Sequence, residues 1–164
     1  MNFLFWQPFQ IAKNYYDVLY FFSYWYIWLI VVIISLFFLF KNTKKSLFYL
    51  WMSLVIAQTI ETVLKHFSPW SRPFLELGST PPNWLTSYSQ GSFPSGHAMK
   101  GIIVLYFLFL YNKKIFILAL PGVLIMDYTR IYFGLHYPID ILGGSIIGLV
   151  VIFMLNYFLK NNDK

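Results

Sequence analysis

The chain has 164 residues, of which 59% are hydrophobic, 23% aromatic and only 11% charged, and this composition is typical of a single-domain integral membrane protein. It contains no cysteine, which excludes disulfides, thiolate metal sites and cysteine nucleophiles. The formal net charge is +6, but most lysines stand in short clusters beside apolar runs, a placement that indicates membrane topology rather than a nucleic-acid partner.

The first 16 residues mix aromatic side chains with Gln, Asn and Lys13. They lack a basic leader and a small-residue cleavage site, so the sequence does not predict a removable signal peptide. A short helix lying in the membrane interface is predicted over residues 1–16.

Five apolar segments follow, and the longer ones match the roughly 20 residues that a helix needs to cross a bilayer. They cover residues 18–40, 47–65, 95–112, 115–128 and 138–159. The predicted fold class is therefore all-α: a polytopic membrane helix bundle with about five transmembrane helices plus the N-terminal interfacial helix. A single domain is predicted over residues 1–164.

Lysine clusters orient these segments in the membrane. They follow the first span, separate the third from the fourth, and follow the fifth: Lys41, Lys44, Lys45, Lys113, Lys114, Lys160 and Lys164. Since basic loops favour the cytoplasm, the opposite ends of the spans face outward. The one long polar connection, residues 66–93, lies on that outer side, and its prolines, serines and glycines exclude a continuous helix. Connections of this length are usually functional or disordered.

Three motifs fall at the outer ends of the spans. They are Lys65-x6-Arg72-Pro73, Pro94-Ser95-Gly96-His97 and Arg130-x5-His136-x3-Asp140. Ionisable groups are costly near hydrocarbon, so where they occur they usually pair and mark a functional site. The alternative for the third motif is a purely structural role, as a buried ion pair.

The chemistry of the motifs points to phosphate. A carboxylate four residues after His136 is the pattern of an imidazole held in one tautomer for nucleophilic or acid–base work. A Pro-Ser-Gly turn that opens a helix offers free N–H groups and a positive dipole end, which bind anions; alone, it would be an ordinary helix start. With three cations in addition, the set suits a dianionic phosphate and phosphoryl transfer.

In order and spacing, the three motifs resemble the signature of the type 2 phosphatidic acid phosphatase superfamily of membrane lipid phosphatases, over most of the chain. The resemblance implies that His136 attacks phosphorus to form a phosphohistidine, that Asp140 orients His136, and that His97 protonates the leaving group. It implies that the phosphate oxygens are held by Lys65, Arg72, Arg130, Ser95 and the backbone of Gly96. It implies no metal and no other cofactor.

The chain departs from the family pattern in two places. Thr129 stands where the family usually has Ser and keeps a hydroxyl for phosphate, and five spans are predicted where the family commonly has six.

Two further residues are accessory candidates. Glu61 either forms a structural i,i+4 pair with Lys65 or positions it, and Lys100 either meets a second phosphate or a sugar, or reaches the membrane surface.

The predicted function is metal-independent hydrolysis of a phosphomonoester or diphosphate on a membrane lipid, at the periplasmic face of a bacterial inner membrane. Lipid A 1-phosphate and undecaprenyl diphosphate are the favoured substrates, with phosphatidylglycerophosphate or phosphatidic acid as alternatives. A transporter would place its charges at mid-membrane in repeated halves, and a lipid-phosphate-binding protein would not need both imidazoles. The related haloperoxidases share the motifs but are soluble, and the apolar composition of this chain does not fit a soluble protein.

Overall fold

The computed structural model describes residues 18, 20–22, 26–41, 44–76 and 91–162. The predicted interfacial helix over residues 1–16 and most of the long outer connection lie outside this part of the chain. Six helices are described: α1 (Tyr26–Phe40), α2 (Lys44–Phe67), α3 (Pro73–Glu76), α4 (Gly96–Tyr111), α5 (Lys113–Tyr132) and α6 (Pro138–Asn162). No strand occurs among the described residues, and the all-α fold class is confirmed.

Three helices are long and apolar enough to cross a membrane: Lys44–Phe67, Lys113–Tyr132 and Pro138–Tyr157. Two shorter apolar helices, Tyr26–Phe37 and Gly96–Tyr111, correspond to the other predicted spans. The chain is thus a multi-pass membrane protein, whereas the count of five crossings stays a prediction.

One residue makes the tight turn between α4 and α5. The backbone of Asn112 is extended, its N–H donates to the Leu108 carbonyl at 2.7 Å, and its side chain accepts from the Lys114 N–H at 2.9 Å. The residue therefore satisfies backbone groups at the end of one helix and at the start of the next. This turn leaves Lys113 and Lys114 at the opposite end of the bundle from the three motifs.

Helix α4 is the centre of the bundle, since it packs against α1, α2, α5 and α6. Its side chains are buried over most of its circumference, including Met99 and Ile103, which are fully buried. By contrast, α5 and α6 expose large apolar side chains such as Leu118 and Phe153, as expected for faces in contact with lipid. The first turn of α4 consequently lies where the other helices can reach it.

Two glycines of α6 let that helix approach α4 closely. A side chain at Gly144 would collide with the backbone carbonyl of Ser95, and a Cβ at Gly148 would lie 2.7 Å from the carbonyl oxygen of Met99. Small residues four apart on one face are typical of close helix contacts in membranes. The contact fixes the start of α6 against the start of α4.

We expect Gly148→Ala to destabilise the protein. Alanine gains about 1 kcal/mol over glycine in a helix, but overpacking against the rigid Met99 carbonyl costs about 1–3 kcal/mol, so the cost should exceed the gain. Denaturant titration in detergent micelles measures the change, with Leu149→Ala on the exposed face of α6 as the control. A stabilised Gly148→Ala variant would mean that the two helices do not pack this closely.

Candidate active site

The three sequence motifs meet at the end of the bundle where α2 and α5 finish and α4 and α6 begin. Backbone hydrogen bonds join them: the Ser95 N–H donates to the Asp140 carbonyl, and the Phe74 N–H donates to the Gly134 carbonyl, each at 3.0 Å. Gly134 has φ +65°, a conformation that glycine adopts without strain. It turns the chain between α5 and α6, where the N–H groups of Leu135 and His136 donate back to the Arg130 carbonyl.

His136 lies on this turn with its Nδ1 facing Asp140. The Nδ1 to Oδ2 distance is 3.4 Å, and the same Oδ2 accepts the Tyr137 N–H at 2.8 Å. Both His136 and Asp140 are buried. Because Nδ1 faces the carboxylate, Nε2 is the ring nitrogen left for other chemistry.

The surroundings of His136 keep its ring neutral. Burial lowers the pKa of His136 to about 4; the hydrogen bond and negative charge of Asp140 oppose this fall, and the positive charges of Lys65 and Arg72 add to it. A neutral imidazole has a free lone pair, which is the form that a histidine nucleophile requires.

His97 stands in the first turn of α4, half-buried, with its Nε2 in contact with Nη2 of the buried Arg130. His136, Lys65 and Lys100 are also near enough to act on it electrostatically. The two imidazoles therefore lie at the same end of the bundle, and each is held by a different charged partner.

Arg72 connects the segment after α2 to the His136 turn. Its Nη1 donates to the Leu135 carbonyl at 3.0 Å. Nearby, the Ser71 hydroxyl donates to the Glu76 carboxylate at 2.5 Å. The hydrogen bonds from Ser71 and then Tyr137 lower the pKa of Glu76, while burial and then the Glu76 hydrogen bond raise the pKa of Tyr137. Helix α3 therefore contacts the turn that carries His136 on both sides of that residue: Phe74 bonds to Gly134, and Glu76 bonds to Tyr137.

Lys65 does not stand alone. Its Nζ lies 2.5 Å from Glu61 Oε1, and Nζ of Lys100 lies 2.7 Å from Glu61 Oε2. All three residues are buried. The i,i+4 spacing predicted the first contact, but sequence analysis missed the second, which joins residues 39 apart. Lys100 contacts Glu61. The sequence predicts instead that Lys100 meets a second phosphate or a sugar, or reaches the membrane surface.

The remaining candidates are buried and largely engaged locally. Ser95 caps α4, since its Oγ accepts the Ala98 N–H at 3.5 Å. Gly96 faces the Glu61 carboxylate, with which any larger residue would collide. Thr129 donates its hydroxyl proton to the Met126 carbonyl at 2.6 Å, which occupies its only side-chain donor within α5. In the described part of the chain, no group of three or more His, Asp or Glu side chains is placed to hold a metal ion.

Known proteins share both the sequence pattern and the fold. The sequence model of the PAP2 superfamily matches residues 46–164. An undecaprenyl-diphosphatase from Sulfolobus acidocaldarius is 32% identical over 79% of this chain and 62% of its own length. A lipid A 4'-phosphatase from Porphyromonas gingivalis is 32% identical over 76% of this chain and 57% of its own length. The chain thus spans about three fifths of the length of these relatives.

The fold matches the crystal structure of a transmembrane PAP2-type phosphatidylglycerolphosphate phosphatase from Bacillus subtilis. The TM-score is 0.65 at 24% identity, over 96% of this chain and 80% of that protein. This likeness concerns the fold, and it agrees with the family match, which covers most of the chain and confirms the resemblance predicted from the three motifs. The chain belongs to the PAP2 superfamily.

Proposed function

We propose that this protein is a lipid phosphatase that cleaves a phosphomonoester or diphosphate through a phosphohistidine at His136, without a metal. The observation that carries the proposal is the pair of imidazoles at one end of the bundle. His136 is backed by Asp140 and His97 by Arg130. A protein that only bound lipid phosphate, or that transported it, would not need two separately positioned imidazoles.

In the first step, Nε2 of His136 attacks phosphorus and forms a P–N bond. The bond from phosphorus to the leaving oxygen breaks, its electron pair stays on that oxygen, and His97 supplies the proton from Nδ1, the ring nitrogen that does not contact Arg130. In the second step a water attacks phosphorus, the P–N bond breaks, and His97 takes the water's proton. Asp140 holds the His136 ring throughout, because its Oδ2 is itself fixed by the Tyr137 N–H.

The phosphate oxygens require positive charge on several sides. Lys65, Arg72 and Arg130 supply it from α2, the segment before α3, and α5. The first turn of α4, with Ser95 and the Gly96 backbone, adds the positive end of a helix dipole. Loss of one well-placed donor from such a site typically costs about 2.7–4 kcal/mol of transition-state stabilisation. Thr129, with its hydroxyl directed to Met126, is a weaker candidate than the others.

The proposed substrate is a phosphorylated membrane lipid, with lipid A 1-phosphate and undecaprenyl diphosphate favoured and phosphatidylglycerophosphate or phosphatidic acid as alternatives. The names of the relatives support a lipid phosphate in general, although the lipid A enzyme among them is named for the 4'-phosphate. We further propose a bacterial inner membrane with the site facing the periplasm, because the site lies at the bundle end opposite Lys44, Lys45, Lys113 and Lys114.

Purified protein in detergent should release inorganic phosphate from at least one of these lipids with EDTA present, because the proposed mechanism uses protein cations in place of a metal. A panel of the four lipid phosphates, scored by kcat/KM, tests activity and substrate together. A strict requirement for added Mg²⁺ would contradict the mechanism.

His136→Ala should abolish turnover and the acid-labile phosphoenzyme, since no other neutral imidazole is held against a carboxylate in the described part of the chain. Acid-quenched reactions with ³²P-labelled lipid measure the intermediate. His66→Ala is the matched control, because His66 is exposed at the end of α2 and has no proposed role. Normal turnover by His136→Ala would show that the nucleophile is assigned wrongly.

The His136 ring should titrate near pH 4 in the free protein, because burial lowers its pKa. Asp140→Asn should move the transition lower still, since the carboxylate raises the pKa of His136 and its removal leaves burial and the nearby cations unopposed. Heteronuclear NMR of ¹⁵N-histidine-labelled protein in micelles, assigned with His136→Gln, measures both values. A transition at or above the ordinary histidine value of about 6.5 would contradict the buried geometry.

A further inference from the structure

One carboxylate at the site serves two ammonium groups. Oε1 of Glu61 accepts from Nζ of Lys65 at 2.5 Å, and Oε2 accepts from Nζ of Lys100 at 2.7 Å. Lys65 lies one turn further along α2, whereas Lys100 comes from α4. The three residues are buried, so solvent screens these contacts little.

This group of three, the Glu61 triad, has a surplus positive charge. Two ammonium groups and one carboxylate sum to +1 when all are ionised. Surplus charge buried in a membrane protein is costly and usually marks a functional site. Lys65 is near enough to His97 and His136 to act on both electrostatically. The surplus charge is therefore available where a phosphate would bind.

Without Lys100 the net charge of this group would differ. Glu61 and Lys65 would form a one-to-one pair of zero net charge, and the carboxylate would compete with phosphate for the Lys65 ammonium. With Lys100 on Oε2, Lys65 contacts only Oε1, so two of its three N–H donors are not needed by Glu61. Lys100 thus offsets Glu61 and keeps Lys65 positive toward the site.

Gly96 fixes the triad against the start of α4. A side chain at residue 96 would collide with the carboxylate of Glu61, so the carboxylate lies directly against the first turn of that helix. The same turn carries His97 and the Ser95 cap. The triad is therefore part of the wall of the candidate phosphate site.

We propose that Lys100 is a positioning residue for phosphate binding: by sharing the Glu61 carboxylate, it leaves Lys65 with the charge and the donors that hold the phosphate group of the lipid. This inference rests on the proposed phosphatase function and extends it to a residue outside the three motifs. Lys100 itself acts through Glu61 and does not touch the substrate.

Lys100→Met should raise both KM for a lipid phosphate and the inhibition constant of inorganic phosphate by roughly tenfold, the size expected for weakening one charged hydrogen bond. The kcat value should change much less, because the nucleophile and the proton donor are intact. Lys100→Arg, which keeps the charge, should stay near wild type. Lys114→Met is the matched control, since it removes an exposed lysine at the opposite end of the bundle.

The double variant Glu61→Gln/Lys100→Met separates this role from simple packing. With the carboxylate gone, Lys65 no longer needs Lys100, so phosphate inhibition should return to within about threefold of wild type. A purely structural triad predicts a loss in the double variant at least as large as in Lys100→Met. If Lys100→Met does not elute as folded protein, the phosphate inhibition constant of the folded double variant decides the question.

Two failures are distinguishable in this experiment. An active wild type with Lys100→Met equal to Lys114→Met, or with no recovery in the double variant, overturns the role of Lys100 and leaves the phosphatase proposal intact. A wild type that neither hydrolyses the lipid panel nor gains thermal stability from inorganic phosphate overturns both proposals.

Discussion

Buried charge at one end of an apolar bundle must be paired, and this requirement organises the structure. Glu61 of α2 holds Lys100 of α4, Arg130 of α5 contacts His97 of α4, and Arg72 donates to the Leu135 carbonyl. Each contact joins different parts of the chain. The interactions that keep ionised groups out of hydrocarbon therefore also fix the relative positions of the side chains that chemistry would need.

These side chains can contact one another because the helix backbones approach closely. Helix α4 is surrounded by four other helices, and its first turn is met by α6 through Gly144 and by the Glu61 side chain through Gly96. The Ser95 N–H bonds to the Asp140 carbonyl at 3.0 Å. A larger residue at Gly144 would separate the starts of α4 and α6, and one at Gly96 would displace the Glu61 carboxylate, so the small residues serve the geometry of the site as well as bundle stability.

Local spacing made part of this arrangement predictable. His136 with Asp140, and Glu61 with Lys65, are four residues apart, and a helix or tight turn brings such pairs together wherever the bundle packs. The pairs of His97 with Arg130 and of Glu61 with Lys100 depend on how separate helices rotate, which a single sequence does not record. Hydropathy also ended the fourth span at residue 128, whereas α5 continues to Tyr132 because Arg130 is directed inward, away from lipid.

The positions of lysine and arginine in the sequence indicate which end of the bundle carries the site, although the sequence does not show which residues pair there. Lysines mark the opposite end of the bundle, where compact hydrated charges suit a membrane surface, but Arg72 and Arg130 both lie at the site. A guanidinium presents several donors in a fixed plane, so different N–H groups of one side chain can contact different acceptors. An ammonium that pairs with a single carboxylate forms a group with no net charge. Lys65 differs from such a pair because its carboxylate also contacts Lys100, so two ammonium groups share one carboxylate and the group of three keeps a positive charge when all are ionised.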